Sequence, residues 1–111
     1  MTLRELCNAC GVSRRAVQGY EKAGLVRPSG RDKHGWLLYD PAARERIRII
    51  HMYQRFGFQV KEIGPLLSLP PEAQKEQLIT RKHQMEQQRA ALDETLALLT
   101  EMINTISPSE S

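Results

Sequence analysis

Apolar residues along the first quarter of the chain recur at helical spacing in two short bursts. Leu3, Leu6 and either Cys7 or Cys10 mark one face of a helix over about residues 2–9. Thr2 and Glu5 stand at the spacing of a capping box, and Gly11 supplies the left-handed turn that stops the helix. Ser13 then caps a second helix, Arg14 to about Ala23, which ends at Gly24. Ala9, Val12, Ala16 and Val17 are small or β-branched and fill the elbow between the two. Two helices joined by a short Gly-containing turn form a helix-turn-helix pattern.

The rhythm changes between Pro28 and Asp40. The segment PSGRDKHGWLLYD is polar and Gly-rich from Ser29 to Gly35, and Trp36–Tyr39 reads as a returning strand. This predicts a wing-like hairpin with Arg31, Lys33 and His34 at its tip. Asp40 followed by Pro41 opens another helix, whose apolar stripe runs through Ile47, Ile50 and Tyr53 or Gln54 to Gly57. A short helix over Val60–Leu67 follows, carrying Ile63, Leu66 and Leu67, with Gly64 and Pro65 expected to interrupt it.

The last predicted element, residues 72–106, is roughly 52 Å long if helical throughout. Leu78, Met85, Leu92, Leu99 and Ile106 fall at seven-residue intervals, and Leu96 and Ile103 add a second row. That is a coiled-coil seam. Lys82 and Arg89 occupy the second row in the N-terminal half, so the seam is well specified at one end only. The reading is therefore a mainly α chain: a winged helix-turn-helix domain over residues 1–68, a linker at 69–71, a dimerisation helix at 72–106 and a disordered tail at 107–111.

Composition and charge sharpen this picture. A chain of 111 residues with 41% apolar and 26% charged positions has a globular composition. Its 5% aromatic content gives a thin core, which favours burial against a second copy. It has neither the roughly 18 consecutive apolar residues of a membrane span nor the apolar run of a signal peptide, and the expected location is the cytoplasm. Residues 1–39 carry seven Lys/Arg against three Asp/Glu, residues 40–68 five against three, and residues 69–111 four against seven. The front of the chain has the electrostatic footprint of a phosphate-backbone binder. Within the last helix all the bases lie before residue 91, whereas Asp93, Glu94 and Glu101 lie after it. An antiparallel pair sets the basic half of one copy along the acidic half of the other, and a parallel pair sets acid beside acid. The expected assembly is an antiparallel homodimer.

The order of elements, together with LRELCNACGVSRRAVQGYEKAGLVRP at 3–28, GWLLYD at 35–40 and RIRIIHMYQRFGFQVKEIGPLL at 46–67, resembles the MerR family of bacterial transcriptional regulators. The resemblance covers nearly the whole chain. It implies a dimer that binds double-stranded DNA over a pseudo-palindromic promoter element through the second helix and the wing, with an antiparallel coiled coil between subunits. It also implies that an inducer makes the bound dimer bend and untwist the promoter spacer so that RNA polymerase engages, making DNA deformation the regulated quantity.

Ser13, Arg14, Arg15, Gln18, Tyr20 and Lys22 on the second helix, Lys33, His34 and Trp36 on the wing, and Lys61 are the DNA-binding candidates. Arg matches guanine and Gln matches adenine through paired hydrogen bonds, so the start of the second helix is equipped to read base edges. Tyr20 matches a family tyrosine that touches the DNA backbone, and it fits equally as a wall of the core. The chain departs from the family pattern where Gln18 and Gly19 replace an Arg and an aromatic, and where Leu37 replaces a wing Arg. These changes remove habitual phosphate contacts, for which Lys22, Lys33, His34 and Lys61 are the substitutes. Pro65 is expected to break a helix that usually continues.

Cys7 and Cys10 make half a zinc site, and His34, His51 and His83 are scattered, so no metal or cofactor is expected. Counterparts of the metal-sensing cysteines and appended ligand domains that the resemblance implies for other members are not expected here, and no inducer is assigned. No nucleophile–base pair, phosphate loop or paired-carboxylate motif argues for an enzyme. Two alternatives stand beside the DNA-reading regulator. One is a degenerate member that acts as a coiled-coil interaction partner, and the other is a small-ligand sensor with a pocket at the dimer helix.

Overall fold

The computed structural model describes residues 1–106. The tail expected at 107–111 lies outside the described residues. The chain divides into two compact units, Met1–Leu69 and the segment from Pro70 onward.

The first unit begins with α1 (Leu3–Cys10) and α2 (Arg14–Lys22). Both predicted bonds of the first capping box are made: the Thr2 N–H donates to Glu5 Oε1 (2.8 Å) and the Glu5 N–H to Thr2 Oγ1 (3.3 Å). Gly11, at φ 67°, turns the chain, and the Ser13 hydroxyl accepts from the Ala16 N–H (3.0 Å) to start α2. Leu6 and Val17 are fully buried at the junction and Val12 nearly so, whereas Ala9 is exposed and takes no part in filling it.

The wing is shorter than the sequence suggests. β1 (Gly30–Arg31) pairs antiparallel with β2 (Leu37–Leu38) in the register Gly30 to Leu38 and Arg31 to Leu37. Its turn is organised by the Asp32 carboxylate, which accepts from the backbone N–H groups of His34 (2.8 Å) and Trp36 (3.0 Å). Trp36 drops out of the strand because the turn claims its amide. Tyr39 drops out because its N–H donates to the Met1 carbonyl (2.6 Å), and its own carbonyl accepts from the Met1 amino group (2.8 Å).

Asp40 caps α3 (Pro41–Arg55) by accepting from the Ala43 N–H (2.8 Å), with Pro41 at the first helical position. The α3 face made by Ala43, Ile47, Ile50 and Tyr53 is buried, and Ile63 and Leu66 join the same core from α4 (Val60–Leu67). The expected break at Pro65 does not occur: α4 continues through it to Leu67. Pro65 is exposed, so its ring needs no room in the core, and the carbonyl its missing N–H would have served belongs to exposed Lys61. The turn beyond is closed by the Ser68 hydroxyl, which donates to the Gly64 carbonyl (3.0 Å).

The second unit is α5 (Pro71–Ile106), a single helix of 36 residues with no buried residue. It starts inside the segment expected as a linker, because Pro71 is well suited to a helix's first position. Thr95, Thr100 and Thr105 donate their hydroxyls to the carbonyls of Ala91, Leu96 and Glu101.

Candidate nucleic-acid interface

α2 is two-sided. Val17 and Tyr20 face the core, while Arg14, Arg15, Gln18, Gly19 and Lys22 are exposed along the other face. The spacing 14, 15, 18, 22 follows the helical repeat, so one surface strip carries three cations and one amide. Arg14 and Arg15 sit in the first turn, where the helix dipole is unfavourable to positive charge without an anion close by.

The wing presents its own polar edge. Lys33 and His34 are exposed at the turn, and Trp36 stands 64% exposed with its ring 6.1 Å from that of His34. A surface groove of about 510 Å³ connects wing and helix, lined by Thr2, Leu3, Arg4, Arg14, Arg31, Gly35, Trp36 and Leu37. Arg31 is steadied there by donating from Nη1 to the Gly35 carbonyl (2.7 Å). Arg4, Arg14 and Arg31 thus come from three separate elements to one groove, with no carboxylate in its lining. Sequence reasoning does not single out Arg4. It lies on α1 one residue past Leu3, and only the fold brings it to the wing.

The acids of this region are occupied elsewhere. Glu5 is bonded to Thr2, and that contact holds its carboxyl below the usual carboxylate range. Asp32 serves the wing turn, and Glu21 accepts from the Tyr39 hydroxyl (2.7 Å). Among the described residues no carboxylate pairs with Arg14, Arg15, Lys22 or Lys33. Glu21 keeps its charge through that bond, so α2 sets Arg14, Arg15 and Lys22 against one carboxylate and is net positive.

Other candidates are placed differently. Tyr20 is only 2% exposed, so its ring is a wall of the core, and its hydroxyl donates to Gln54 Oε1 (2.6 Å). Ser13 is exposed, with its hydroxyl committed to the helix cap. Lys61 is exposed in the first turn of α4 and is not among the residues lining the groove. On α3, Arg48 is bonded to Glu45 (2.6 Å) and Arg46 donates to the Leu25 carbonyl (3.0 Å), so these cations serve the fold.

Neither thiol belongs to a larger donor set. Among the described residues no group of three or more His, Cys, Asp and Glu side chains could hold a metal ion. Cys7 and Cys10 are half-buried, Cys10 lies 3.8 Å from the Arg44 carbonyl, and burial pushes its thiol pKa up.

Residues 1–69 match the family model described as MerR HTH family regulatory protein, and residues 44–107 match the one described as MerR, DNA binding. The chain belongs to the MerR family. It is 30% identical over 101 residues to the HTH-type transcriptional activator mta of Bacillus subtilis, covering 85% of this chain and 39% of that protein. It is 32% identical over 65 residues to the mercuric resistance operon regulatory protein of Bacillus cereus, covering 59% and 49% respectively. The chain thus spans about half the length of these two curated relatives, or less. Among solved structures, the N-terminal part of the Bacillus subtilis multidrug transporter activator superposes with a TM-score of 0.75 at 25% identity, over 93% of this chain and 97% of that one. HiNmlR, a MerR family regulator lacking the sensor domain and solved bound to promoter DNA, shares the fold with a TM-score of 0.71 at 20% identity, over 91% of this chain and 81% of that one. No described helix of this MerR family member is long and apolar enough to cross a membrane.

Proposed function

We propose that this MerR family member is a sequence-specific, DNA-binding transcriptional regulator. It acts as a homodimer on a pseudo-palindromic promoter element, with α2 in the major groove and the wing on the flanking backbone. The observation that carries the reading is the strip of Arg14, Arg15, Gln18 and Lys22, whose cations make no ion pair among the described residues, continuous through Arg14 with the basic groove to the wing. Phosphates supply the anion that the start of α2 lacks, and Gln18 with the arginines supplies base discrimination. Family membership supports the same assignment, as does the solved promoter complex of a relative with the same fold.

The dimer is read from α5. Leu92, Leu96, Leu99, Ile103 and Ile106 are each at least half exposed along one stripe, a surface that water disfavours and a second helix covers. The segregation of charge along α5 supports antiparallel pairing. Two DNA-reading units then relate by a two-fold axis, as a symmetric site requires. RNA polymerase at the promoter is the partner such a regulator serves.

Selection of duplexes from a random pool by the purified chain, at about 0.1 M salt to screen nonspecific attraction, tests the reading. The expected result is enrichment of a two-fold symmetric site, with Arg14→Ala and Arg15→Ala each losing discrimination at defined base pairs while the dimer persists. A folded, dimeric protein that enriches nothing overturns it.

A further inference from the structure

The proposed DNA surface is built from two elements that the backbone does not connect directly, α2 and the wing. A duplex presents phosphates and base edges at fixed separations, so two elements can engage one site together only if their spacing is itself fixed. Among the described residues, one hydrogen bond joins them. The Tyr39 hydroxyl, at the root of the wing, donates to Glu21 Oε1 on α2 at 2.7 Å.

Tyr39 is suited to this task by its surroundings. It is 1% exposed, and its backbone N–H and carbonyl are both engaged by Met1. The wing strand above it is held by Ser29, whose N–H (2.8 Å) and hydroxyl (3.1 Å) both donate to the Leu38 carbonyl. Tyr39 is followed at once by Asp40, the cap of α3. Its ring therefore moves with the wing and with the start of α3 as one body. Glu21 is half-buried and stands three residues beyond Gln18. Its predecessor Tyr20 is bonded to Gln54 of α3. Consecutive residues of α2 are thus tied in two directions, one to α3 and the next to the wing, which fixes the rotation of α2 about its own axis. A helix tied at one point could turn and carry Arg14, Arg15 and Gln18 out of register with Lys33 and Trp36.

We infer that Tyr39 and Glu21 are positioning residues that set the spacing of the wing from α2, and with it the discrimination between a cognate site and other DNA. The inference rests on the reading of α2 and the wing as the DNA surface. Buried, with its proton shared toward a carboxylate, the Tyr39 hydroxyl forms a charge-assisted bond, the stronger kind. Nonspecific binding follows net charge and phosphate proximity, and tolerates a loose wing.

The test compares binding of the full chain to the duplex it selects from a random pool and to a shuffled duplex of the same composition, alongside thermal unfolding. Tyr39→Phe keeps the ring and removes the hydroxyl, Glu21→Ala removes the acceptor, and Glu21→Gln keeps an acceptor oxygen. Tyr39→Phe and Glu21→Ala should each lower the ratio of cognate to shuffled affinity by about tenfold, the scale of one charge-assisted hydrogen bond. Glu21→Gln should hold that ratio within about threefold of the unaltered chain, on the same scale. A merely structural bond would lower the melting temperature and weaken both duplexes together, with the ratio unmoved. Should Tyr39→Phe fail to fold, the two Glu21 variants decide, since Glu21 is only half-buried. A chain that selects no duplex overturns the DNA-reading proposal and this inference with it. A chain that selects one, and whose Tyr39→Phe or Glu21→Ala form keeps the ratio, overturns this inference alone.

Discussion

The hydroxyl of Tyr20 lies 2.6 Å from Oε1 of Gln54 and ties α2 to α3. The ring is in the core and the acceptor is on the surface, since Gln54 is exposed. Removing the hydroxyl therefore leaves no stranded polar group, because water reaches Gln54. Tyr20→Phe should cost about 0.5–1.5 kcal/mol in denaturant unfolding, the range of an ordinary net hydrogen bond. Tyr20→Ala, which deletes a buried ring, should cost about 3–5 kcal/mol. Affinity for DNA of unrelated sequence, which follows net charge, should stay within a few-fold in the Phe variant. A loss there as large as that of an Arg14 variant would place the Tyr20 hydroxyl among the phosphate contacts.

Alkaline pH should unfold the protein through the same side of the structure. Burial pushes the Tyr20 phenol up, and burial together with the neighbouring Glu21 carboxylate pushes Tyr39 well above the ordinary tyrosine range. Both groups favour the neutral form when folded. Their contribution is complete below the unfolded-state pKa of about 10 and is lost as pH rises beyond it. A pH titration followed by ultraviolet absorbance should show the phenolate signals of Tyr20 and Tyr39 appearing with unfolding, and not before it. Tyr39→Phe should flatten the alkaline limb of the stability profile. Ionisation of Tyr39 while circular dichroism still reports native helix would contradict the buried Glu21 contact.

Gly19 sits inside α2 on the exposed face, and a Cβ built there meets nothing within 4 Å. Glycine in a helix interior costs about 1 kcal/mol relative to alanine. Gly19→Ala should therefore raise stability by up to that amount, read as a higher denaturant midpoint with an unchanged slope. The contrasting site is Gly64, where an added Cβ would come within 3.1 Å of Leu25 Cδ2. Gly64→Ala should gain less than Gly19→Ala, because Leu25 must shift to admit it. Equal gains at the two positions would mean that the α4–Leu25 contact is looser than the structure shows.

What could be read in the sequence was local or periodic. Thr2 with Glu5, Ser13, and Asp40 with Pro41 announce helix starts because a cap and its amide lie within three residues of each other. The seven-residue repeat of Leu78 through Ile106 announces α5 in the same way. What was not legible depended on distant partners. The strand at Trp36–Tyr39 is trimmed by Asp32 at one end and by Met1, 38 residues away, at the other. Tyr20 lies three residues past Val17, which suits a core position, but its hydroxyl partner, Gln54, comes from another helix 34 residues away. Pro65 looks like a breaker until its exposure is known. Arg4 is an unremarkable cation until the wing folds beside it.

The surface of α5 makes the last prediction. Leu92 and Leu99 lie seven residues apart on a helix with no buried residue, 59% and 53% exposed. If they are part of a seam, Leu92→Asp with Leu99→Asp should convert the dimer to monomer in sedimentation, because each buried carboxylate would lack a partner. The pairing direction can be tested with native side chains. Lys75 and Glu101 are 26 positions apart in the sequence, about 39 Å along one straight helix, too far for a zero-length amine–carboxylate coupling within a chain. In an antiparallel pair the basic end of one α5 lies beside the acidic end of the other, and a Lys75–Glu101 link should form between chains. A parallel pair would leave these residues as far apart between chains as within one. A covalent dimer carrying that link therefore reports direction as well as association. A dimer that survives the double aspartate substitution would mean that the seam lies on another face of α5.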